Sequence, residues 1–187
     1  MEIHWQDRAG LLIIGDRMAE NDQALMRNAL RTLLVRDLNA LDREIAAYPD
    51  DDSVWLTPPG ISNSAGNLTL HLLGNVRHFF GAALANNGYV RNRDAEFATR
   101  GLTRGQLRAQ IEEAIAEMES AIDAITDEQL ASEFPLPIRD FRVRTSDFVI
   151  HLAVHFGYHL GQIDYHRRLL TSGAAAVDAM AIDPLRV

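Results

Sequence analysis

Leu30, Leu33, Leu34, Leu38, Leu41 and Ile45 recur three or four residues apart, the spacing of one face of a helix. The pattern predicts a first helix from about Asn21 to Tyr48, with Asn21 or Asp22 placed to cap its start. Pro49, Pro58, Pro59 and Gly60 then break the chain. A second helix is expected from about Ser62–Ser64 to Asn86-Asn87-Gly88, an ending that reads as a C-cap. Its apolar face carries Leu68, Leu72, Val76, Phe79 and Ala83. The stretch "YVRNRDAEFATRG" that follows reads as a polar connector.

A third helix opens at Thr103, where Thr103 and Gln106 have capping-box spacing. Leu107, Ile111, Ile115, Met118, Ile122 and Ile125 supply its buried stripe. Thr126 and Gln129 repeat the capping-box spacing, so a short helical turn is expected after it. Pro135 and Pro137 force "FPLPIRDFRVR" to be extended, and its alternating Phe141 and Val143 suit a strand-like edge. A fourth helix is expected from about Thr145 to Thr171, followed by an Ala-rich tail read as loosely ordered. The chain thus divides into an N-terminal segment (1–20), a helical domain (21–171) and a C-terminal tail (172–187). Four long helices with connectors of about a dozen residues or more suggest an all-α four-helix bundle.

Charge narrows the partners. The formal net charge is −8 and no dense basic patch offsets it, which argues against nucleic acid and anionic membrane. "LLII" near the start is too short for a signal core or a membrane span. There is no Cys, which removes disulfides, thiolate zinc sites and Cys nucleophiles and fits a reducing cytoplasm, the expected location. All 18 basic residues are Arg, so lysine chemistry is excluded as well.

The chemistry lies in the histidines. The fourth helix carries His151, His155, His159 and His166. At 100° per residue they fall on one narrow stripe with Gln162, beside Leu152, Phe156 and Ile163. On the second helix His71 and His78 are nearly eclipsed at the edge of the buried face. Two His one turn apart can reach one metal, and a third from another helix gives a three-nitrogen set with open positions. His71, His155 and His159 form the preferred triad. Gln162 and His151 are candidates for the surrounding shell, and His78 is expected near the level of His151 as an entrance pair. Asn67 and Asn75 are candidate lining. His166 reads as a surface or partner-contact residue, and His4 as uninvolved. Asp147 reads as a helix-dipole residue, and Asp164 faces away from the triad. No catalytic acid or base is identifiable.

"HFGYHLGQIDYHRRLL" resembles the His-x-x-x-His-x-Gly-Gln signature of the DinB/YfiT-like superfamily. "NLTLHLLGNVRHFFGAAL" resembles the second helix of a DinB-related subfamily of unknown function. The resemblance covers roughly residues 20 to 171 and implies a four-helix bundle with a long crossover between the second and third helices. It also implies a divalent metal, nickel or zinc, on His71, His155 and His159. Characterised members are transferases or isomerases that use low-molecular-weight thiols, so a thiol cosubstrate is implied too. The chain departs from many relatives at Tyr158 and Leu160, where they carry His and Arg.

Two functional classes follow: a metal-dependent thiol transferase or hydrolase acting on a small molecule, or a non-catalytic metal-binding or interaction protein, with a homodimer compatible with either. A di-iron bundle lacks its carboxylates. A haem ligated by two histidines stays open.

Overall fold

The structure, a computed structural model, describes the backbone of residues 7–186 and the side chains of residues 24–186. The described residues contain α-helices and no strand. The elements are α1 (Asp7–Ala46), α2 (Ala65–Val76) with a π-helical continuation (Arg77–Leu84), α3 (Arg93–Ala98), α4 (Arg104–Ala124), α5 (Asp127–Ala131) and α6 (Thr145–Leu170).

Helix α1 passes through Asn21 and Asp22, so neither caps its start. No Pro interrupts residues 7–46, so the helical backbone extends well ahead of the leucine periodicity that marked it. Leu30, Leu34, Leu38, Leu41 and Ile45 are buried. The other starts follow local chemistry. Ser64 accepts from the Asn67 backbone N–H at the head of α2, and Thr103 and Thr126 form capping boxes with Gln106 and Gln129. Each such cap satisfies helix-end amides that would otherwise go unpaired.

From Arg77 onward α2 winds more widely; the Ala85 N–H bonds to the Phe80 carbonyl, five residues back. Each wide turn absorbs an extra residue. The buried positions there are Phe80, Gly81 and Leu84, while the expected Phe79 and Ala83 are only partly buried.

Helix α1 packs on α4 and α6, and α2 packs on the same two helices. Arg31 meets Glu119 and Asp123, and Asp42 meets Arg108, so α1 and α4 run antiparallel. The extended segment after α5 makes a narrow turn. Phe134 N–H bonds to the Val143 carbonyl, Ile138 pairs with Phe141, and Thr145 N–H bonds to Ser132 at the start of α6. The tail folds back on α1, where Arg43 donates to the carbonyls of Val177 and Asp178. It is therefore held rather than loose.

His166 departs from expectation. It is 4% exposed, far from a surface residue. Its Nδ1 accepts from the Tyr48 hydroxyl at 2.7 Å, and its Nε2 donates to the Leu56 carbonyl at 2.9 Å. It ties the end of α6 to the end of α1 and to the loop that follows. The buried Arg167 beside it pairs with Glu44 at 2.5 Å. The helical stripe placed His166 correctly in angle, but the loop after α1 covers that end of α6 and buries it.

Candidate metal centre

Helices α2 and α6 cross with His71 opposite His155 and His159. One ligand atom from each of the three lies within 4.8 Å of the others. Ring centroids are 5.3 Å apart for His71 to either partner and 4.6 Å for His155 to His159. The α6 pair follows from i, i+4 spacing, which stacks two side chains on one helix face. The third comes from α2 because Leu68 and Leu72, on either side of His71, are buried in the common core.

The outer nitrogens are held. His71 Nδ1 lies 2.9 Å from Glu96 Oε2. A carboxylate only accepts, so Nδ1 carries the proton and Nε2 keeps its lone pair. His159 Nδ1 lies 2.6 Å from Gln162 Oε1 and is fixed in the same tautomer. The Asn75 amide nitrogen is 3.0 Å from His71 Nε2 and 3.4 Å from Nδ1. A donor along the Nε2 lone pair would lie much farther from Nδ1. Asn75 therefore rests beside the ring and leaves the lone pair clear.

Glu96 comes from α3, inside the stretch that read as a polar connector. Arg91 clamps it with bonds of 2.6 and 2.8 Å. Burial alone would raise the Glu96 pKa, but the bonds from Arg91 and His71 outweigh it and hold the group below the usual glutamate value. Asn67 fixes the segment by donating to the carbonyls of Glu96 and Thr99. Gly74 makes room, because a Cβ there would sit 2.0 Å from Glu96 Oε1. The sequence signals only a glycine in the interior of a helix, which marks a close approach without naming Glu96 as what approaches.

Burial also favours the neutral form of His155 and His159. His155 is pushed down to about 4, first by desolvation and then by His159, His71, His151 and Arg91. His159 shifts down by desolvation, with the Gln162 bond opposing. Neutral imidazole is the form that ligates.

His151 sits outside the triad. It is exposed, lies flat over Phe148 with ring centroids 6.0 Å apart, and is 6.3 Å from His155 by the same measure. His78 packs on Phe79, and no ring contact or hydrogen bond joins it to His151. The eclipsed position expected for His78 assumed α-helical winding, which ends at Val76, two residues earlier. Asp164 pairs with Arg167 and Arg168, away from the triad. His4 lies outside the described residues.

The triad opens into a cleft of about 710 Å³, with Asn63, Arg93, Asp94 and Phe97 among its walls. Among the described residues no fourth His, Cys, Asp or Glu joins the three as a ligand. Zinc–nitrogen bonds of about 2.0–2.1 Å would draw the nitrogens closer than they stand, a change that small side-chain rotations supply. The donor set, the free lone pairs and the Glu96 slot fit a divalent ion. No helix among the described residues is long and apolar enough to cross a membrane.

The structure thus defines an all-helical protein with a three-histidine cluster able to hold a metal. Residues 23–181 match the family described as protein of unknown function (DUF1572), and the chain belongs to that family. A comparison with curated proteins found no match.

Proposed function

We propose that this chain is a DinB/YfiT-like metal-dependent enzyme, with zinc or nickel on His71, His155 and His159, acting as a thiol transferase or hydrolase on a small molecule. The observation that carries the reading is the convergence of the three ligand atoms within 4.8 Å at an open cleft. A site with three protein ligands and an open position is the arrangement of reactive rather than structural metal centres.

The helix directions support the bundle with its crossover. Trp55, ahead of α2, donates to the Leu102 carbonyl ahead of α4, Arg77 at the end of α2 meets Glu113 and Glu117 farther along α4, and Gln129 of α5, past the end of α4, reaches the Leu84 carbonyl, so α2 and α4 run parallel. Parallel neighbours need a connection that returns the length of the bundle, and residues 85–103 with α3 supply it. That same connection delivers Glu96.

A divalent ion held by His71, His155 and His159 would supply Lewis acidity, lowering the pKa of a water or thiol toward neutrality. The protein's part is orientation. Glu96 and Gln162 fix two imidazole tautomers and ring angles. The three neutral imidazoles leave the ion's charge uncompensated and so favour an anionic ligand. Arg93 and Asp94 on the cleft wall offer opposite charges to a ligand.

Cobalt(II) substitution tests the reading. Adding a small thiol to the cobalt-loaded chain is expected to produce a new sulfur-to-metal absorption band. A spectrum indifferent to thiol and to other anions would mean that no position is open, and would return the site to a non-catalytic role.

A further inference from the structure

A second cavity, of about 420 Å³, lies beside the three-histidine cleft. Asn63 and Leu68 line both cavities. Its size falls within the range of small-molecule sites, roughly 300–1,000 Å³. Ile61, Tyr165 and Leu169 line it and are 39%, 76% and 62% exposed. Three apolar side chains around one concavity leave apolar surface in water that an apolar occupant would cover.

No Asp, Glu, Lys or Arg lines this cavity. His166 reaches its wall, but both of its nitrogens are already bonded, to Tyr48 and to the Leu56 carbonyl. A charged occupant would find no opposite charge to pair with and would lose hydration that the few polar groups of the wall replace only in part. The occupant is therefore uncharged over this part of its length.

Gln162 connects the two spaces. Its Oε1 accepts from His159 Nδ1, and its side chain lines the second cavity. The amide N–H groups of Gln162 are thus left to serve an acceptor placed between the two.

We propose that the ligand of this protein is a small molecule with a metal-binding head over the three histidines and an uncharged, apolar tail in the Ile61–Tyr165–Leu169 cavity. The proposal rests on the metal reading for its head and on the second cavity for its tail, and the two are separable by experiment.

Straight-chain hydroxamates serve as probes, since they carry a chelating head and a tail of chosen length. Titration into the zinc-loaded full chain is expected to show octanohydroxamate binding at least about tenfold tighter than acetohydroxamate, because each buried methylene adds to affinity. In Leu169→Arg that ratio is expected to collapse toward one. A flat series in the unmodified chain, or a ratio that survives Leu169→Arg, overturns the proposal. Octanamide, which lacks the chelating head, is added to the metal-free chain in parallel. NMR shifts at Tyr165 and Leu169 are expected, and their absence overturns the tail site whether or not zinc binds. Shifts without zinc uptake would instead sink the metal reading alone. Light scattering covers the remaining occupant: a dimer that Leu169→Arg converts to monomer, with a flat series, would assign the cavity to a second copy and overturn the proposal.

Discussion

Glu96 Oε2 accepts a 2.9 Å hydrogen bond from His71 Nδ1, across 25 residues of sequence. This bond sets the tautomer of the one triad member that α6 does not supply. Carboxylate–histidine pairs of this kind typically change metal affinity by about 10–100-fold when broken. Glu96→Gln is expected to weaken zinc or nickel binding by roughly that factor, measured by competition with a chelating dye. Unchanged affinity would show that the carboxylate does not orient His71.

Gly74→Ala separates stability from site geometry. Ala favours a helix interior over Gly by about 1 kcal/mol. The new methyl would also lie 2.0 Å from Glu96 Oε1 and must displace it. The expected outcome is weaker metal binding with helix content by circular dichroism retained. Metal affinity equal to that of the unmodified chain would contradict the slot.

Tyr48→Phe tests the His166 anchor. It removes the hydroxyl that donates to His166 Nδ1 and leaves a buried acceptor without a partner. The cost is expected to be about 1–3 kcal/mol, read from urea denaturation, with metal stoichiometry unaltered. A change within about 0.5 kcal/mol would place His166 outside the stabilising core.

Acid should destabilise the metal-free chain. Burial lowers the His166 pKa, with the Leu56 bond opposing, while the unfolded value stays near about 6.5. As pH falls the unfolded chain takes the proton first. The stabilisation is therefore complete above about pH 6.5 and is lost as pH drops through the lower folded value. Denaturation is expected to be easier at about pH 5.5 than at about pH 7.5. His166→Gln, which keeps a donor and an acceptor, should reduce the difference. It should not abolish it, because His78, His155 and His159 shift in the same direction. An identical pH slope in the variant would contradict the assignment.

Much of this architecture was legible because it depends on local rules. The capping boxes at Thr103 and Thr126 and the α6 span fell where sequence spacing put them. The grouping of His155 with His159 needed only helical periodicity, and His71 joined them from its place on the buried edge of α2. Three things were not legible, each for a non-local reason. Glu96 and Arg91 reach His71 only because α3 folds back along α2, and no periodicity marks a six-residue helix. His166 became a core residue because the loop after α1 lies over it. His78 makes no ring contact or hydrogen bond with His151, because the level at which two residues meet depends on how α2 and α6 pack, which the angle along a single helix does not contain.

Metal stoichiometry tests the central claim most directly. The purified chain is incubated with zinc or nickel, freed of excess ion, and analysed for bound metal per chain, beside His71→Ala, His155→Ala and His159→Ala. The account predicts about one ion per chain in the unmodified protein, and little or none in each variant while the helical signal persists. An unmodified chain that retains no divalent ion, or variants that retain it in full, would contradict it.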